Sequence, residues 1–77
     1  MHNRVYKLDK IVSALNKTGF QARQKGTHGI FFHPETGLIV TLPLSKKDVP
    51  PVYLNAILKQ IEYRGLMTEE RFLEMLD

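Results

Sequence analysis

Between Phe20 and Pro43 the chain carries three short runs, Phe20 to Lys25, His28 to His33 and Leu38 to Leu42, joined by very short links. Lys25-Gly26-Thr27 is one link and Pro34-Glu35-Thr36-Gly37 the other, and both have turn chemistry. A parallel crossover needs a dozen or more residues, so links this short force consecutive strands into an antiparallel meander. Leu38, Val40 and Leu42 alternate with Ile39 and Thr41, which predicts one face toward a core, shared with Phe20 and Ala22. The middle run is apolar on both sides. His28, Ile30 and Phe32 lie on one side and Gly29, Phe31 and His33 on the other, and alternation alone does not choose between them.

Helical periodicity brackets this meander. Leu8, Ile11, Val12 and Leu15 form one apolar stripe, and Gly19 can take the left-handed conformation that ends a helix, so a first helix is predicted over Lys7 to Thr18. Pro43 should end the third strand, because proline cannot donate to a sheet ladder, and Leu44 to Val49 is expected to be loop. Pro50 and Pro51 suit the first turn of a second helix carrying Leu54, Ile57, Leu58 and Ile61, with Gly65 as its stop. Thr68 is a good N-cap for a short third helix, with Glu69 and Glu70 at its positive end and Phe72, Met75 and Leu76 on its apolar face. The order α-β-β-β-α-α predicts an α+β domain, a three-stranded antiparallel sheet with helices on one face.

The length of 77 residues allows one small domain over 1–77, with a net stability of about a few kcal/mol. There is no cysteine, which fits a reducing cytoplasm and excludes a disulfide scaffold and thiolate metal sites. No apolar run approaches the ~20 residues that span a bilayer, and MHNRVYKLDK lacks the apolar centre of a signal peptide. A soluble, cytoplasmic domain is the expectation. Charge is uneven: residues 1–50 hold eight Lys/Arg against three Asp/Glu, and residues 51–77 hold three against five. A basic N-terminal half fits an anionic partner such as nucleic acid, and equally a solvated surface with an acidic helix at its end.

The residues with chemistry are few. His28 follows Lys25-Gly26-Thr27 at the mouth of the middle strand. A lone histidine there is more often a partly exposed polar residue than a catalyst. His33 precedes Pro34 at a turn and reads as structural, bonding the turn backbone; His2 lies near a terminus, where order is commonly poor. His28 and His33 are five apart on one strand and project to opposite faces, and no carboxylate cluster completes a metal site. Ser45 has no evident base partner, and Tyr53 and Tyr63 could stack bases but more naturally edge the core or meet a partner.

Taken in order, Lys17-Thr18-Gly19-Phe20, Arg23-Gln24-Lys25-Gly26-Thr27-His28, Phe31, His33-Pro34, Gly37, Val40-Thr41-Leu42-Pro43 and Ile57-Leu58-Lys59-Gln60 resemble the HicA (YcfA-like) toxins of bacterial and archaeal toxin–antitoxin pairs. The similarity runs from about Leu8 to Leu76. It implies a fold like the double-stranded-RNA-binding domain, and ribosome-independent mRNA cleavage with no metal or other cofactor, silenced by a HicB antitoxin. It carries the catalytic role to His28, with Thr27 in place of the family's serine. Through the core aromatic at Phe31 it turns His28, Ile30 and Phe32 to the open face, beside Ile39 and Thr41, with Gln21, Arg23 and Lys25 if the first strand keeps its parity.

On this reading Arg23, Lys25, Gly26, Thr27, Lys46 and Lys47 contact RNA. The basic residues would balance phosphorane charge, and the glycine allows close approach of a phosphate. Ile30, Phe32 and Ile39 would form a large apolar patch for a monomer, so the antitoxin is expected to cover them together with His28. Many family members carry a second histidine after the proline matching Pro43, where this chain has Leu44-Ser45. That departure keeps open a non-catalytic RNA-binding or protein-interaction module on the same fold.

Overall fold

The computed structural model describes residues 4–76, so His2 lies outside the described residues. Helix α1 (Leu8–Lys17) buries Ile11 and Leu15 of the expected stripe together with Ala14, while Leu8 and Val12 pack half-buried against the core. It ends in a Schellman turn: the Phe20 N–H donates to Leu15 O at 3.0 Å and the Gly19 N–H to Asn16 O at 3.2 Å. Gly19 sits at φ 100°, a conformation that costs a side-chain-bearing residue energy but not glycine. Helix α2 (Pro51–Tyr63) ends by the same device, with Leu66 N–H to Ile61 O and Gly65 N–H to Glu62 O, both 3.0 Å. Pro51 opens α2 where its missing N–H is harmless. Helix α3 (Glu69–Leu76) is capped twice: Thr68 Oγ1 accepts the Arg71 N–H at 3.2 Å, and the Glu62 carboxylate on α2 accepts the Glu69 N–H at 3.0 Å.

The meander is strands β2 (Gln21–Lys25), β3 (His28–Phe32) and β4 (Ile39–Pro43), antiparallel and in that spatial order. A second, two-stranded ribbon was not foreseen. β1 (Tyr6–Lys7) pairs with β5 (Asp48–Val49), the Leu8 N–H donates to Lys47 O at 2.8 Å, and Lys7 Nζ meets Asp48 Oδ1 at 2.8 Å. Two-residue strands carry no periodicity to read, and this ribbon moves the start of α1 to Leu8. The expected loop after Pro43 therefore ends in a strand.

The three helices cover one face of the sheet. Phe31, Val40 and Leu42 from β3 and β4 join Ile11, Leu15, Leu54, Leu58, Ile61, Phe72 and Leu76 in one core. Phe20 is buried but lies in the turn before β2. Ala22 corrects the expected inward set: it faces the helix side, in register with Phe31 and Val40, yet it is exposed, as is all of β2. The helices cover β3 and β4, and β2 overhangs them as an edge strand.

The hydrogen-bonding phase of β4 follows from its ends. His33 N–H donates to Leu38 O at 2.9 Å and Leu44 N–H to Thr27 O at 2.8 Å. Antiparallel ladders alternate, so Leu38, Val40, Leu42 and Leu44 bond toward β3, while Ile39, Thr41 and Pro43 turn their backbone groups away from it. Pro43 is the last residue of the strand, as expected, and its missing N–H falls at an outward position where it costs no bond to β3.

Candidate nucleic-acid interface

The β2–β3 hairpin fixes the open face. Lys25 pairs with His28 across the two-residue link Gly26-Thr27, and Gly26 has φ 63° while, among the described residues, no non-glycine residue has positive φ. Positive φ at the first loop position alone is a II′ turn, whose twist matches the flanking strands and for which glycine is the preferred residue. Gln24 Nε2 donates to Gly26 O at 3.2 Å across the loop. The register then sets three rows on the face away from the helices: Lys25–His28–Pro43, Arg23–Ile30–Thr41 and Gln21–Phe32–Ile39. Cations line the β2 side and apolar residues the β3 and β4 side. Directly opposed residues of such a pair have Cβ atoms about 5 Å apart, so Lys25 stands beside the imidazole.

His28 is exposed, and among the described residues no hydrogen bond or ion pair orients its ring. Both nitrogens are open to a ligand. His33 is the opposite case. It is 5% exposed, its Nε2 donates to Thr18 O at 3.1 Å, and its Nδ1 lies 3.1 Å from Thr36 Oγ1. Its ring meets Phe20 edge-on, with centroids 5.1 Å apart. The two histidines fall on opposite sides of the sheet, and among the described residues no group of three or more His, Asp or Glu is placed to hold a metal.

Lys46 and Lys47 reach the same end of the sheet by a different route. The Leu44-to-Thr27 bond ties the end of β4 to the hairpin loop, and the Lys46 N–H closes a turn on Pro43 O at 3.4 Å. The two lysines line a cleft of ≈ 570 Å³ with Lys7, Leu8, Asp9, Leu44 and Ser45, beside the start of α1. Arg23, Lys25 and His28 therefore share one face, Gly26 and Thr27 form its rim, and Lys46 and Lys47 flank it beyond Leu44. The Lys7 ammonium is held above its ordinary value of 10.5, first by its hydrogen bond to Asp48 and then by that carboxylate's charge.

Sequence reasoning missed the neighbour of Gly29. This glycine is buried under Leu44: a Cβ there would stand 2.8 Å from Leu44 Cδ2 and 3.1 Å from both Leu44 Cγ and Phe31 Cε1. No local pattern announces a side chain fifteen positions away. An internal glycine in a strand, a mark of close approach, was the available signal.

An α+β domain with a helix-free face that is cationic along one side and apolar along the other belongs to the class of small proteins built to meet another macromolecule on a sheet surface. A family model described as HicA toxin of bacterial toxin-antitoxin matches residues 8–63, and the chain belongs to that family. No curated protein matches it. Family membership makes it a toxin of the ribonuclease-like kind, with an antitoxin as its partner. No helix among the described residues is long and apolar enough to cross a membrane.

Proposed function

We propose that this toxin is a metal-independent mRNA endoribonuclease in which His28 is the catalytic base. One observation carries the reading: the single exposed imidazole of the sheet stands on the open face, across the hairpin from Lys25 and one row from Arg23. A neutral His28 takes the proton of a ribose 2′-OH, and the 2′-oxygen attacks the adjacent phosphorus. The P–O5′ bond breaks, and the 5′-oxygen leaves with a proton from the imidazolium or from water. The product is a 2′,3′-cyclic phosphate. Positioned general-base help contributes ~10²–10⁴-fold, and Lys25, Arg23 and the flanking Lys46 and Lys47 balance the charge that grows on the phosphoryl oxygens. A HicB-type antitoxin silences the toxin by covering His28, Ile30, Phe32 and Ile39.

Expression of wild type and His28→Ala in bacteria, with growth and mRNA integrity followed, tests this. Arrest and mRNA loss that the substitution abolishes are expected. Equal behaviour of two folded proteins sinks the catalytic claim, and 5′-phosphate ends would point to a metal–hydroxide route. Leu44-Ser45, in place of the second histidine that the family resemblance leads one to expect shortly after Pro43, favours a second reading, an RNA-binding module without chemistry, and Leu44 packs its apolar side chain over Gly29. Steeply salt-dependent RNA affinity without cleavage would select it.

A further inference from the structure

The two edges of the sheet are built differently. β2 presents Ala22 and Gln24 to its free edge, flanked by Arg23 and Lys25, charges of the kind that discourage strand addition. β4 has no such charges. Its outward residues Ile39 and Thr41 each turn an N–H and a C=O to the edge, while Pro43 blunts one end. Below this edge runs a cleft of ≈ 460 Å³ lined by Ile39, Val40, Thr41, Val52, Tyr53, Ala56, Ile57 and Gln60, none of them charged. Ile39 is 58% exposed and Val52 68%, and Ile39 is in register with the exposed Phe32. An apolar path thus leads from the open face, over the edge of β4, into the cleft.

We propose that β4 is where the antitoxin docks, by adding an extended, uncharged strand to this edge. Its backbone bonds Ile39 and Thr41, and its residue opposite Val40 drops an apolar side chain into the cleft against Val52 and Ala56. Main-chain bonds give affinity in such strand addition, and the pocket under alternate side chains gives specificity. RNA does not suit the cleft, whose lining holds no cation for a phosphate. A second copy suits it poorly: its β4 would bring its own Val40, already 6% exposed and held in its own core, and would leave the cleft unfilled. The inference rests on the toxin–antitoxin pairing and on Ile39 being shared with the open face, but not on nuclease chemistry.

The test uses the toxin and its native antitoxin complex. Thr41→Pro removes an outward N–H without breaking a bond to β3, and Val52→Glu charges an exposed wall of the cleft. Each should weaken antitoxin binding at least tenfold by calorimetry. In wild type, the Ile39 and Thr41 amides should exchange rapidly when free and become protected in the complex. If Thr41→Pro fails to fold, Val52→Glu and the wild-type amides decide. Antitoxin binding unchanged in Val52→Glu, with both amides exchanging as fast in the complex as in the free toxin, overturns the proposal. A toxin dimer in size-exclusion light scattering that Val52→Glu dissociates also overturns it, assigning the edge to a second copy. RNA cleavage by wild type and His28→Ala, assayed alongside, separates this outcome from failure of the nuclease reading.

Discussion

The Nε2 of His33 lies 3.1 Å from the carbonyl oxygen of Thr18, and this one contact joins the turn that ends α1 to the turn that ends β3. A carbonyl only accepts, so Nε2 carries the proton and Nδ1 is left to accept from the Thr36 hydroxyl. Thr36 Oγ1 in turn accepts the Leu38 N–H at 3.3 Å. The turn that ends α1 and the turn between β3 and β4 are held through one buried ring.

His33→Ala should therefore act on stability. The lost buried hydrogen bonds and the cavity together cost about 2–4 kcal/mol, readable as an earlier urea midpoint. His28→Ala, at an exposed position, should shift stability by less than about 0.5 kcal/mol. Two histidine variants with these responses exchanged would contradict the assignment of roles.

Gly29→Ala should destabilise the domain by about 1–3 kcal/mol, since the new methyl meets Leu44 and Phe31. Leu44→Ala opens space beside it. A double-mutant cycle in urea should give Gly29→Ala a smaller cost in the Leu44→Ala background. Additive costs would mean that Leu44 does not constrain Gly29.

RNA affinity should fall with salt, and Arg23→Ala and Lys25→Ala should each flatten the log–log slope by about 0.7 if each cation meets one phosphate of a single strand. Fluorescence anisotropy across a salt series measures this. An unchanged slope in both variants would remove the β2 cations from the RNA surface. Lys59→Ala, on α2 away from the open face, is the control and should leave the slope unchanged.

The Lys7–Asp48 pair gives a pH prediction with a definite sign. Lys7 has a raised folded value, so its contribution is fully present below its unfolded value near 10.5 and is lost as pH rises through the folded value. The pair is solvent-exposed, so the effect should be small and screened by salt. Urea unfolding of wild type and Asp48→Asn should differ slightly at neutral pH and low salt and converge at strongly alkaline pH. A gap that widens with alkali would reverse the sign.

Much of this was legible in the sequence because the links were short. Lys25-Gly26-Thr27 and Pro34 to Gly37 left the meander no alternative topology, and the helix stripes placed Ile11, Leu15, Leu54 and Leu58 in the core. The middle strand was ambiguous by alternation. Its resolution came from resemblance at Phe31, which is 2% exposed, and the II′ hairpin then brought Arg23 and Lys25 to the same face as His28. What stayed hidden was non-local. The exposure of Ala22 depends on how far the helices reach sideways, Leu44 meets Gly29 only after folding, and the β1–β5 ribbon is too short to leave a pattern.

β2 has a further consequence. It is exposed on both faces and along one edge, so its attachment to the domain is mostly the single ladder to β3. In a native-state exchange experiment such a strand opens at a lower free energy than the core strands. The cations at Arg23 and Lys25 thus ride on the part of the sheet most easily lifted, so on the proposed reading an RNA chain of irregular shape draws them into place without disturbing the packed layer beneath.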